Sequence, residues 1–131
     1  MEEVQKTKTF KELIMWQKAH IFVLDVYKNT EHFPKHELFG LTSQFRRAAI
    51  SIPANEAEGY KRKGKQEKLR FFNIAQASLE EARYYILLSK DLNYINSDEE
   101  QSLTLNIEEA SKSLNSYCFK IENDILVLPS K

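Results

Sequence analysis

Apolar residues recur along this chain at three- and four-residue intervals, in four stretches joined by short polar connections. None of the stretches alternates as a strand would. The first opens near Thr9, where Thr9-Phe10-Lys11-Glu12 predicts a capping box: Thr9 accepts from the amide of Glu12, and Glu12 reaches back. Leu13, Trp16, His20, Val23, Leu24 and Tyr27 follow as one helical stripe. The helix is expected to fray near Thr30, because a residue before proline, here Phe33-Pro34, avoids the helical region.

The second stretch carries Leu38, Leu41, Phe45, Ala48, Ala49 and Ile52 and is interrupted by Pro53. A proline inside a helix cannot donate to the carbonyl four residues back, here Ala49, and its ring crowds that carbonyl. Asn55 and Gly59 continue the stripe beyond it, so a kink is expected at Pro53 rather than an end, with Gly59 as the C-cap. The third stretch, Lys65 to Leu92, has two seams. Leu69, Phe72, Ala75, Leu79, Ala82 and Ile86 form one; Phe71, Ile74, Ser78, Tyr85 and Leu88 form the other. Ser97-Asp98-Glu99-Glu100 predicts a second capping box, followed by Leu103, Ile107, Ala110, Leu114, Tyr117, Ile121 and Ile125. Short connections favour antiparallel neighbours. The reading is all-α: one antiparallel up-down four-helix bundle over residues 1–131, with tails at about 1–8 and 127–131.

A helix that is apolar on two faces must bury both. The surplus seam of the third helix, Phe71, Ile74, Tyr85 and Leu88, therefore predicts a homo-oligomer, unless this helix is simply central within the protomer.

Composition agrees with a single packed domain. Among 131 residues there are only three Gly and three Pro, too few for the turns of a β-sandwich or barrel. The single Cys118 requires no oxidising compartment, the polar start Met1-Glu2-Glu3 is unlike a secretory signal, and no apolar run is long enough to cross a membrane. A cytoplasmic location is expected.

The formal net charge of zero conceals an asymmetry. Residues 46–70 hold eight basic residues, Arg46, Arg47, Lys61, Arg62, Lys63, Lys65, Lys68 and Arg70, against three acids, Glu56, Glu58 and Glu67. Residues 71–131 hold ten acids against five bases. The connection between the second and third helices is thus a basic knob, which could grip phosphates and release their counterions, or serve only as a solvated loop. Of the aromatics, only Tyr60, Phe71 and Phe72 lie near it, thin material for stacking bases.

Catalytic patterns are absent or incomplete. Gly59-Tyr60-Lys61-Arg62-Lys63-Gly64-Lys65 has the spacing of a phosphate-binding loop, but Gln66 stands where a magnesium-binding hydroxyl belongs and no strand precedes it. His32 and His36 are separated by Pro34, which breaks the helix that would align them as metal ligands. His20 reads as a core or edge histidine, and Cys118 as a small buried apolar residue. No pair of Glu-x-x-His motifs marks a di-iron bundle. Neither an enzyme nor a cofactor is predicted. Ser51, Asn55 and Glu58 share one side of the second helix around Pro53, where Ser51 or Asn55 could satisfy groups freed by the proline. Glu58 would pair with Arg83. This set is either a binding site or, the preferred reading, a polar network fixing helix register, so that Glu58→Gln lowers thermal stability.

Ser51-Ile52-Pro53-Ala54-Asn55-Glu56-Ala57-Glu58-Gly59, preceded by Gln44-Phe45-Arg46-Arg47-Ala48-Ala49, resembles the signature of the 23S rRNA-intervening-sequence proteins, also called S23 ribosomal-type proteins. Trp16-Gln17-Lys18-Ala19, Phe33-Pro34 with Glu37, and Ile74-Ala75-Gln76-Ala77-Ser78-Leu79 with Glu81 follow the same order, so the likeness spans about residues 10–95. That family is similar in fold to the accessory variability determinant protein of diversity-generating retroelements, a basic ring-forming bundle that works with a reverse transcriptase and nucleic acid. The resemblance implies a left-handed antiparallel bundle, a ring of five subunits, and an association with bacterial ribosomal RNA genes. It also marks Arg46, Arg47, Asn55 and Glu58 as positions that matter, for packing or for a ligand. Two residues depart from it. Glu56 stands where an apolar residue is usual and is expected to alter the subunit contact or the surface near the basic knob. Ala77 replaces a common glycine and is expected to widen a close helix approach slightly. The functional expectation is a non-enzymatic homo-oligomer that binds RNA or another polyanion through Arg46, Arg47 and the 61–70 stretch; the alternative is a protein-interaction scaffold with no nucleic-acid role.

Overall fold

The computed structural model describes residues 7–124. Four helices, α1 (Ile14–Thr30), α2 (Leu41–Lys61), α3 (Lys65–Asp91) and α4 (Ser97–Glu122), make up nearly all of it, with short 3₁₀ turns at Phe10–Glu12 and Lys35–Glu37. No strand occurs among the described residues. Neighbours meet in the order α1–α2–α3–α4 and back to α1, so the bundle is a square with α2 diagonal to α4. Its core is filled by Met15 and Phe22 of α1, Phe45 and Ile52 of α2, Phe72 and Leu79 of α3, and Leu103, Ile107, Leu114 and Ile121 of α4.

The predicted stripes of α3 and α4 are buried except at Leu69 and Tyr117, which are half-buried, and Ile125 lies outside the described residues. For α1 the face is turned. Its buried set is Met15, Ala19, Phe22, Val23 and Val26, while Leu24 and Tyr27 are exposed and Trp16 is half-buried. His20 is also exposed, stacked on Trp16 at 5.0 Å between ring centroids. The helix is apolar over most of its circumference, so two stripes competed, and the one carrying Phe22 and Val26 packs.

Helix ends also differ from expectation. Thr9 caps only the first 3₁₀ turn, accepting from Lys11 rather than Glu12. The capping box of α4 is formed one residue earlier than predicted, by Asn96 and Glu99. Leu38 is exposed ahead of α2, whose first turn is capped from outside: the Glu37 carboxylate accepts from the amide of Leu41 at 3.0 Å and from the Tyr94 hydroxyl at 2.8 Å. These hydrogen bonds hold the Glu37 pKa below its ordinary value.

The helical hydrogen-bonding pattern of α2 continues through Pro53. Gly59 is not its C-cap. It lies inside the helix, buried, where a Cβ would stand 2.5 Å from Cε1 of Phe72. This glycine permits the close approach of α2 to α3 that closes the lower end of the bundle.

Candidate nucleic-acid interface

The tight α2–α3 connection, Arg62-Lys63-Gly64, turns the chain at the end where the basic run is concentrated. Lys61, Arg62, Lys63 and Arg70 are exposed there. Arg62 lies over the ring of Phe71 with its guanidinium carbon 4.6 Å from the centroid, and Arg70 approaches the same ring at 5.6 Å. Each arginine is also held by a carboxylate on its own helix or turn: Arg62 by Glu58 at 2.9 Å, and Arg70 by Glu67 at 3.7 Å. Lys65 reaches Asp124 at 3.0 Å. Lys61 and Lys63 have no ion-pair partner among the described residues.

Lys68 does not belong to this surface. It is 1% exposed, and its ammonium donates to the carbonyls of Gly59 at 3.3 Å and Tyr60 at 2.7 Å. The last carbonyls of a helix lack intrahelical donors, and a cation there also suits the helix dipole. Lys68 therefore caps α2 from α3, and burial lowers its pKa. It anchors the turn that displays its neighbours.

Arg46 and Arg47 lie apart from that end, about 20 Å along α2 at 1.5 Å per residue. Arg46 is half-buried: it donates to the Thr30 hydroxyl at 2.8 Å and lies 4.6 Å over the Tyr27 ring, tying α2 to α1. Arg47 is exposed and bridges to Glu81 of α3 at 3.1 Å. Both line an open groove of about 740 Å³ with Tyr27, Leu38, Phe39 and Ile50. Phe39 is 90% exposed there. The eight basic residues thus divide into a groove pair, an exposed terminal group, and one buried anchor.

The polar set around Pro53 is real in part. The Asn55 amide donates to the Ser51 carbonyl at 2.8 Å and to the Ser51 hydroxyl at 2.9 Å, and the Ser78 hydroxyl donates to Ser51 at 2.8 Å. This links α2 to α3, as a register-fixing network would. It serves the Ser51 carbonyl, not that of Ala49 which the proline deprives. Glu58 is outside the network, exposed and paired with Arg62, so its predicted contact with Arg83 does not form and Glu58→Gln loses its rationale for lower stability. Arg83 faces α4 instead, holding Glu108 through two hydrogen bonds of 2.8 and 3.1 Å. The sequence reading also missed Asp25, which accepts from Ser102 at 2.9 Å and Asn106 at 3.0 Å and joins α1 to α4.

Three of the four residues of the second seam of α3 that were expected at an oligomer contact are already half-buried within the protomer. Tyr85 packs on Phe45 with centroids 5.9 Å apart and donates to Glu81, Leu88 is packed against the core, and Phe71 is covered by Arg62. Only Ile74 of the four remains exposed.

The profile of 23S rRNA-intervening sequence proteins matches residues 11–116. The chain belongs to that family. No curated protein matches it significantly. Among solved structures, it is similar to a protein of unknown function from the S23 ribosomal protein family of Bacteroides thetaiotaomicron VPI-5482, with 23% identity and a TM-score of 0.72 over 80% of this chain and 98% of that one. That likeness shows a shared bundle fold.

Both departures from the family pattern fall elsewhere than expected. Ala77 is exposed and narrows or widens no helix approach. Glu56 is not at the surface near the knob: it is fully buried, and neither carboxylate oxygen has a hydrogen-bond partner. Desolvation raises its pKa to about 9, so the carboxyl is protonated at neutral pH. In this chain position 56 is a core position, which an apolar residue would suit. Cys118 is buried as well, its thiol pushed up to about 12 by burial, far from a reactive thiolate. Among the described residues no cluster of His, Cys, Asp or Glu has metal-binding geometry, and no helix is long and apolar enough to cross a membrane.

Proposed function

We propose that this member of the family is a non-enzymatic, cytoplasmic homo-oligomer that binds RNA or another polyanion through the basic end of the bundle. The observation that carries the reading is the display of Lys61, Arg62, Lys63 and Arg70 at one end of the bundle, on and beside the α2–α3 turn that Lys68 anchors from beneath. Lys61 and Lys63 point to phosphate because surface ammonium groups with no ion-pair partner among the described residues gain most from a polyanion and release its counterions.

Self-association is supported by the groove beside α2. Exposed Phe39, Leu38, Ile50 and Tyr27 form an apolar strip flanked by two arginines. Acidic residues at the start of α4, such as exposed Asp98, provide a charge complement on another copy. A heterologous contact generates a ring where its rotation closes, and the family resemblance implies five subunits. Repetition around a ring would multiply weak phosphate contacts.

Sedimentation equilibrium tests the assembly. The wild-type chain is expected to sediment as an oligomer at micromolar concentration, and Phe39→Glu to dissociate it without altering helical content. A wild-type species of 15.4 kDa alone would refute self-association. Retention of a structured RNA at low salt, weakened by joint Lys61→Ala and Lys63→Ala, is the companion result.

A further inference from the structure

The basic end contains more than charge. Phe71 stands at its centre with one guanidinium 4.6 Å and another 5.6 Å from its ring. Glu58 accepts from a terminal nitrogen of Arg62 at 2.9 Å, and Glu67 lies 3.7 Å from a terminal nitrogen of Arg70. Contacts at a terminal nitrogen leave the guanidinium face turned away from Phe71 available. The side chains of Arg62 and Arg70 are 44% and 66% exposed, so each has surface to offer solvent.

The support beneath is fixed. Lys68 ties the end of α2 to α3, and the Tyr60 hydroxyl donates to the Thr7 carbonyl at 2.9 Å. Gly64 has no atom within 4 Å of where a Cβ would be, so the approach to the turn is open.

Resting on the polyanion reading, we propose that the guanidinium planes of Arg62 and Arg70, propped on the Phe71 ring, form a stacking site for an unpaired nucleobase, and hence that the ligand is single-stranded nucleic acid. Bases in a duplex keep their faces against one another, and only an unstacked base can lie on an aromatic ring or an arginine plane. Lys61 and Lys63 hold the adjacent phosphates. A site reading charge alone would have no use for a ring that props its arginines.

The test compares fluorescence anisotropy of three labelled probes: a short oligo-uridine strand, an abasic strand of the same length, and an RNA duplex with the same number of phosphates. The oligo-uridine is expected to bind at least tenfold more tightly than the abasic strand. Phe71→Leu, which keeps apolar bulk but removes the ring beneath the two guanidinium planes, should remove about tenfold of that affinity, the size of one lost base stack, and leave abasic binding unchanged. An unaltered melting temperature for Phe71→Leu shows that the fold is intact; if the variant melts early, Phe71→Tyr, which retains a ring, must restore both stability and oligo-uridine binding. Equal binding of oligo-uridine and abasic strand overturns the stacking site while sparing the polyanion reading. Tighter binding of the duplex also overturns it. Failure of all three probes at low salt overturns both.

Discussion

Glu56→Gln is expected to make the protein more stable at neutral pH and to flatten its dependence on pH. The carboxyl is buried with both oxygens unpartnered and has a folded-state pKa of about 9 against an ordinary value of 4.5. The unfolded chain releases this proton above the lower value; the folded chain holds it up to the higher one. Stability from this group is therefore greatest below the unfolded pKa and falls as pH rises toward the folded pKa, by about 1.4 kcal/mol per pH unit. At pH 7 the cost is about 3 kcal/mol, on the order of 10 °C in melting temperature for a chain this size. Glutamine keeps the shape and cannot ionise. Urea denaturation of both proteins at several pH values should show a difference that grows from pH 5 to pH 8. Parallel curves would mean that the carboxyl finds a partner or solvent.

Gly59→Ala is expected to act in the opposite direction from its helix propensity. An exposed mid-helix Gly→Ala change gains about 1 kcal/mol. Here the new methyl would lie 2.5 and 2.9 Å from two ring carbons of Phe72 and 3.1 Å from the Lys68 carbonyl oxygen. Phe72 is fully buried and cannot swing away, so α2 and α3 must separate, with overpacking costs of about 1–3 kcal/mol or more. The separation would also lengthen the Lys68 contacts that cap α2. A net loss of about 2 kcal/mol in denaturant titrations is expected, recovered in part by Phe72→Leu in the same chain. A net gain would show that this interface is looser than its geometry.

The four helices were legible because helical periodicity runs through each segment and strand alternation through none. Their individual faces were less so. Residues 14–27 offer apolar positions on nearly every side, and only packing against α2 and α4 decides between the Phe22 and Leu24 faces. Lys68 and Glu56 were misread for a different reason: a charged residue in a charged stretch reads as solvent-facing. Yet Lys68 falls on the stripe of Phe72, Ala75 and Leu79, and Glu56 on that of Ile52 and Gly59, so the periodicity held the signal that their side-chain chemistry obscured. The pairing of Arg83 with Glu108 depended on the rotation of α3 and α4 about their axes, which a single apolar stripe fixes only coarsely, whereas Glu58 and Arg62 stand four residues apart and their pairing was open to reading from the spacing. The stacking of Arg62 and Arg70 on Phe71 needed the three-residue turn to bring the end of α2 beside the start of α3.

The salt dependence of RNA binding bears most directly on the role assigned to the basic end. The logarithm of affinity plotted against the logarithm of salt concentration should fall linearly, with a slope near −3 for about four phosphate contacts on a single strand. Removing Lys61 and Lys63 together should shallow that slope by about 1.4. An affinity indifferent to salt, or a slope unmoved by losing both lysines, would contradict a phosphate-binding function for this end of the bundle.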